Sequence, residues 1–261
     1  MRIVSISDPH CGHRAGLTPP EWQDAITEGS HTQRNKFAVL QREGWKYYAK
    51  IIDSIKPVDV LIVGGDAIDG TGSRSGGTEL ITTDRNDQID MAAQCIEYVG
   101  AKKIIMVYGT AYHVGEDEDW ELVLSNQVKA AKIGSHEWLN AHGVIFDVKH
   151  HVGASSVPYG RHTAVAKEHL WNQLWSEHGE QPKANVLLRG HVHYHTYCGG
   201  PGWLAMTMPA LQGTGTKFGA RRCSGTVDFG LVHFDVTKGG SFSWTAHIAK
   251  LQSQQAKTLS L

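Results

Sequence analysis

Short apolar runs alternate with helically spaced apolar positions along most of this chain. Arg2–Asp8, Val58–Asp66, Lys102–Thr110, Val144–His150 and Asn185–His191 are continuously apolar at their centres and rich in Ile and Val. Runs of that kind predict strands covered on both faces of a sheet. Between them, Phe37, Leu40, Tyr48, Ile51, Ile52 and Ile55 share one helical face ahead of Pro57. Ile89, Ala92, Ala93, Ile96 and Val99 form a second stripe, with Gly100 placed as its C-terminal cap. Trp120, Val123, Leu124, Val128 and Ala131 form a third, stopped by Gly134; Val165, His169, Leu170 and Leu174 form a fourth, stopped by Gly179. Alternation of strand and helix predicts a layered α/β fold with crossover helices.

Beyond residue 191 glycine-rich breaks separate Trp203–Met208, Val227–Val236 and Ser241–Ile248, and no helical stripe remains. These predict an antiparallel second sheet or sheet edge. The polar stretches Cys11–Asn35 and Ala67–Thr83 carry no clear element, and loops of that length are usually functional or mobile. The expected organisation is one domain over 1–250, with a core at 1–195, C-terminal strands at 196–250 and a tail at 251–261.

Composition narrows the classes. At 261 residues with 41% hydrophobic and 20% charged positions, the chain is ordinary globular material able to bury a sizeable core. Its 25 Lys+Arg against 26 Asp+Glu give a net charge of −1, which argues against a broad basic face for coating duplexes but leaves room for a local phosphate site. No apolar run approaches a membrane span and the N-terminus lacks a signal-peptide layout, so no membrane partner is expected. Cys11, Cys95, Cys198 and Cys223 show no C-x-x-C spacing and read as reduced thiols of a cytoplasmic protein. Sixteen histidines are the compositional outlier, and imidazole is the commonest metal ligand.

Each of the five early runs ends in ligand-type residues. They are Asp8-Pro9-His10; Gly64-Gly65-Asp66 with Asp69 after it; Gly109-Thr110 with His113 after it; His150-His151; and Gly190-His191-Val192-His193. Open α/β sheets bind ligands beyond the carboxyl ends of their strands, so residues spread over the chain are expected to meet at one sheet edge. A mixed oxygen and nitrogen set without thiolate suits Mn, Fe, Co, Ni or Zn. There are too many ligands for one ion; two ions about 3.5–4 Å apart, bridged by a carboxylate, would use them.

In these blocks the chain resembles the calcineurin-like metallophosphoesterases, whose signature runs D-x-H, G-D-x-x-D, G-N-H-[DE], a lone His and G-H-x-H at strand ends. The resemblance covers roughly residues 1–195, and the third block resembles the phage and prophage variant G-T-x-x-H. It implies a four-layer α/β/β/α sandwich with mixed sheets and an antiparallel C-terminal part. It also implies two divalent cations, Mn foremost, with Fe, Zn, Co or Ni as alternatives. Asp8, His10 and His193 would hold the first ion, His150 and His191 the second, and Asp66 would bridge. Thr110 stands where the family has its Asn ligand, and His113 is the candidate acid or phosphate-facing group. His151 is the alternative to His150, and Asp69 orients His10 or joins the ligands.

The implied function is hydrolysis of phosphate esters, a metal-bound hydroxide attacking phosphorus, with a phosphodiesterase or nuclease type foremost. The alternatives are a phosphomonoesterase of protein or nucleotide, and a non-catalytic module that keeps the fold. Nucleic acid or nucleotide is the expected partner, and the host cytoplasm the location if the chain is phage-encoded. His13, His195, Arg221 and Arg222 are candidate substrate contacts, each with a plain alternative as an ordinary loop or strand residue. The remaining histidines read as surface or satisfied interior residues.

Overall fold

The computed structural model describes residues 1–27, 33–115, 119–155, 157–214, 225–254 and 258–259. One sheet has six strands in the order β11-β10-β1-β2-β3-β4, built from β1 (Arg2–Ile6), β2 (Val60–Val63), β3 (Lys103–Val107), β4 (Lys132–Gly134), β10 (Gly230–Val236) and β11 (Phe242–Ile248). The other has five in the order β5-β6-β7-β9-β8, from β5 (Glu137–Ala141), β6 (Val144–Lys149), β7 (Val186–Arg189), β8 (Thr196–Gly200) and β9 (Trp203–Thr207). Helices α1 (Gln33–Ile55), α2 (Arg85–Tyr98), α3 (Ala111–Val114), α4 (Trp120–Gln127) and α5 (Arg161–Glu177) connect them.

Strand alternation sorts the side chains into layers. Val4, Ile6, Leu61 and Val63 point outward onto α1 and α2, meeting Tyr48, Ile52, Ala92 and Ile96. Ile3, Val60 and Ile62 point the other way, onto Phe146, Val148, Leu188 and Met206 of the second sheet. On that sheet's far side Leu187 and Ala205 receive Val165 of α5. The result is the α/β/β/α sandwich expected from the resemblance. Both faces of β1, β2 and β7 are covered, which is why those segments read as unbroken apolar runs.

Several expectations are corrected. The five runs do not share one sheet: β1–β3 lie in the first, while β6 and β7 lie in the second. Their carboxyl ends meet where the two sheets abut. The C-terminal strands also split. β10 and β11 run antiparallel at the edge beside β1, whereas β9 pairs parallel with β7 and carries the unforeseen β8 antiparallel on its outer side. The third helical stripe ends at Gln127 rather than running to Ala131. Lys129 turns left-handed at φ 53°, and the Ala131 N–H donates to Ile104 O at the start of a β3–β4 pairing.

The two polar stretches hold each other in place. The Cys11 N–H donates to Ala67 O (2.9 Å), Asp69 N–H to Cys11 O (3.1 Å), Arg14 N–H to Glu79 O (2.9 Å) and Ile81 N–H to Gly12 O (2.7 Å). Buried Gln88 of α2 clamps both backbone groups of Gly70. In the tail, Ser253 bonds Glu43 of α1 through both its N–H and its hydroxyl. Cys11, Cys95 and Cys198 are free thiols. Among the described residues no helix is long and apolar enough to cross a membrane.

Candidate metal centre

Where β1, β2 and β7 end, the backbone turns left-handed at the candidate ligands themselves. Asp8 (φ 51°), His10 (43°), Asp66 (50°), His191 (71°) and His193 (56°) all lie in a region that costs an L-residue about 1–2 kcal/mol each. Only Lys129 and His142 join them among described residues other than glycine. Strain concentrated on five side chains of ligand type marks a site held together by its surroundings. Part of the support is visible: Asp8 N–H donates to Gly65 O and His10 N–H to Asp66 O (both 3.0 Å), and His191 N–H donates to both oxygens of Asp8 (3.1 Å each). Gly109 allows a close approach no other residue would permit, since a Cβ there would sit 2.1 Å from Asp66 Oδ1.

The side chains converge in three groups whose ligand atoms lie within 4.8 Å of one another: Asp8, His10 and His193; Asp66, His150 and His191; and His10, Asp66 and His113. The first two are the sets the resemblance assigns to two ions. His10 Nε2 lies 3.2 Å from His193 Nε2, which is 3.1 Å from Asp8 Oδ1, and His150 Nε2 lies 3.1 Å from Asp66 Oδ2. Separations of this size would fit the edges of a coordination polyhedron with ligand bonds of about 2.1 Å.

Tautomers follow from the second ring nitrogen. Nδ1–H of His150 donates to Gly64 O (2.7 Å), of His10 to Asp69 Oδ1 (2.9 Å) and of His113 to Asp69 O (3.0 Å). Each ring therefore presents Nε2 to the centre, the arrangement by which carbonyl and carboxylate partners orient metal-binding imidazoles. His150 Nε2 is buried, and Asp66 Oδ2, 3.1 Å away, lies out of line for a hydrogen bond to it.

Charge is the deciding property. Asp8, Asp66 and Asp69 are all buried, and their ion-pair partners among the described residues are histidines alone. Burial opposes ionisation of Asp8 and Asp66, but His193 and His150 outweigh it at Asp8, and His150, His10 and His113 at Asp66, holding both well below the usual carboxylate range. Reciprocally, burial works against the His150 imidazolium, yet Asp8 and Asp66 push that ring up to about 10. His10 is raised against burial by its Asp69 bond and by Asp66. His113 and His191 are lowered, first by burial and then by the neighbouring charge of His10 and His150. Without an ion, protons on imidazoles balance the acids; a divalent cation would take that place and release them. The donor set fits.

The other sequence candidates separate. Thr110 spends its hydroxyl on Asp66, donating at 3.0–3.1 Å, and adds its N–H at 2.7 Å. It steers the central carboxylate. Thr110→Val keeps the N–H bond and loses the hydroxyl, so metal affinity should fall about 10- to 100-fold with the fold intact, measurable by calorimetric titration. His151 is exposed, its ring 4.8 Å from that of His191. His13 is buried and accepts the Ala15 N–H (2.9 Å). His195 donates Nδ1–H to Thr207 O (2.8 Å) beside Tyr197 and Trp244. None of these three enters the ligand groups. Arg221 and Arg222 lie outside the described residues.

One residue of the site was missed. Glu121 of α4 is fully buried behind Asp66; Oε1 accepts the Ala67 N–H (2.8 Å) and Oε2 the Gly109 N–H (2.6 Å). Burial raises its carboxyl, the Ala67 bond opposes, the Asp66 charge adds, and the balance is about 7. Its spacing with Leu124 and Val128 (i, i+3, i+7) was the available signal: an acid on an apolar helical face.

No family model and no curated protein matches this chain. Solved structures similar to it include an archaeal phosphodiesterase (13% identity, 95% of this chain and 100% of that one, TM-score 0.48) and Vps29 from Chaetomium thermophilum (10%, 96% and 99%, 0.49). Another is the zinc complex of Vps29 from Entamoeba histolytica (12%, 95% and 99%, 0.44). At these values the likenesses carry no inference about chemistry.

Proposed function

We propose that this chain hydrolyses phosphate esters with a pair of divalent cations, Mn foremost, and that its preferred substrates are diesters of nucleotide or nucleic-acid type. The carrying observation is a set of three buried carboxylates whose ion-pair partners among the described residues are all imidazoles, beside three donor groups of which two share Asp66. Asp8, His10 and His193 would hold one ion and His150 and His191 the other, with Asp66 between them. When bound, such a pair acidifies water and neutralises phosphoryl oxygens. Asp69 fixes His10 and His113, Thr110 fixes Asp66, and Glu121 fixes the backbone on either side.

His113 is the proposed proton donor. With Nδ1 committed to Asp69 O, its Nε2 exchanges the proton. Burial and His10 hold this ring below its ordinary value, so Nε2 carries a lone pair at neutral pH in the free protein. An entering phosphate supplies the negative charge that places a proton there, next to the leaving oxygen. The G-T-x-x-H spacing, which sets this histidine one helical turn beyond Thr110, supports the phage-type placement.

The test strips the protein with chelator, reloads it with Mn, Zn, Co or Fe, and compares a diester, a monoester and single-stranded DNA. Two ions per chain with turnover restored, fastest on a diester, is the expected result. Turnover that is equal before and after stripping, or absent with every ion, defeats the reading. Thr110 favours one rival, a non-catalytic module, because its hydroxyl is spent on Asp66 where the family has an Asn ligand. One ion or none, without turnover, is that rival's signature.

A further inference from the structure

Helix α5 buries Val165 and Asn172 against the second sheet and turns an apolar stripe outward. Leu170 is 58% exposed, Trp171 54% and Leu174 45%. Large apolar groups gathered on one helical face are uncommon on monomeric surfaces and mark contact sites. Two exposed charges end the stripe, Lys167 and Glu177, and neither makes an ion pair with the described residues.

Lys167, Leu170, Leu174 and Glu177 are spaced i, i+3, i+7 and i+10, the seam of a helix that packs lengthwise on another helix. The order is self-complementary. In an antiparallel pair related by a two-fold axis near residue 172, Leu170 meets Leu174 of the other copy. Lys167 then meets Glu177, and each contact occurs twice. A lipid surface would select cations along the polar edges, and here the charges alternate in sign.

We propose that α5 is the contact face of a homodimer, paired antiparallel with α5 of a second copy, apolar at its middle and ionic at both ends. The inference is independent of the hydrolase reading, because none of these residues lies in the ligand groups. One pair of helices of about 25 Å buries less than a standard interface, so the dimer is weak and forms with concentration.

Sedimentation velocity on the full chain from about 1 µM to about 500 µM tests it. Wild type should shift from monomer to dimer within that range, and Leu174→Glu should stay monomeric with an unchanged circular dichroism spectrum. Lys167→Glu and Glu177→Lys should each weaken the dimer about tenfold or more, since both symmetry-related pairs turn repulsive. The double variant carrying both changes should recover it. A wild type that is monomeric throughout, a dimer that survives Leu174→Glu, or a double swap that restores nothing overturns the proposal.

Discussion

Asp66→Asn should abolish phosphate-ester turnover, by about a thousandfold or more, and remove the ion-dependent gain in stability with it. The substitution is nearly isosteric, so the fold should persist: the amide oxygen can still accept from Thr110, whose N–H and hydroxyl both reach Oδ1. The amide NH₂ then takes the place of the present Oδ2, 3.1 Å from His150 Nε2, and presents hydrogens where an ion would need an oxygen. One change therefore removes the shared charge and blocks a ligand of the second group. Losing several kcal/mol of charge stabilisation corresponds to a loss of this size in rate. Stability gives the independent readout. At an ion concentration about a hundredfold above Kd, wild type gains about 2.7 kcal/mol. A variant binding a hundredfold more weakly gains only about 0.4 kcal/mol. Melting curves with and without ion distinguish the two, and a variant that keeps normal turnover of a diester would end the two-ion reading.

The convergence of these side chains was legible because they directly follow apolar runs. A strand that is sandwiched announces itself by apolar residues at nearly every position, as in Val60–Val63, and the residue where the chain must leave the sheet is then fixed to within one or two. Asp8, Asp66, His150 and His191 were placed that way. The division of the strands between two sheets was not legible, since β2 and β7 are covered on both faces and look alike whichever sheet they join. Short edge strands failed for the opposite reason. β4 has no fully buried residue and β8 carries three part-exposed or exposed glycine and cysteine positions, so neither has a periodicity to read. The left-handed backbone at five candidate ligands left no trace either, because Asp and His, though enriched in that region, occur far more often outside it. The third helical stripe misled by one face: Val123, expected inside, is 46% exposed, while Glu121 is buried.

Glu121 is also where stability and the metal centre meet. Its two oxygens accept backbone N–H groups from the segments after β2 and β3, one residue past Asp66 and one before Thr110. Glu121→Gln can accept only one of these bonds and turns an NH₂ toward the other donor. A buried N–H left unpaired costs about 1–3 kcal/mol, so chemical denaturation of ion-free protein at pH 6 should show a loss in that range. Glu121→Ala orphans both donors and opens a cavity, and should lose more. The pH dependence gives the sign. Because the folded carboxyl sits at about 7, above its ordinary 4.5, folding favours the protonated form. That contribution is complete below pH 4.5 and is lost as pH rises through 7. Wild type should therefore weaken by about 3 kcal/mol across that window, from Glu121 alone, while Glu121→Gln lacks the slope. Metal affinity should drop in parallel in the variant, since Asp66 and Thr110 hang from the two segments the carboxyl ties together. A wild-type profile that runs parallel to that of Glu121→Gln from pH 5 to 8 would show that this acid is ionised throughout and fixes nothing by its proton.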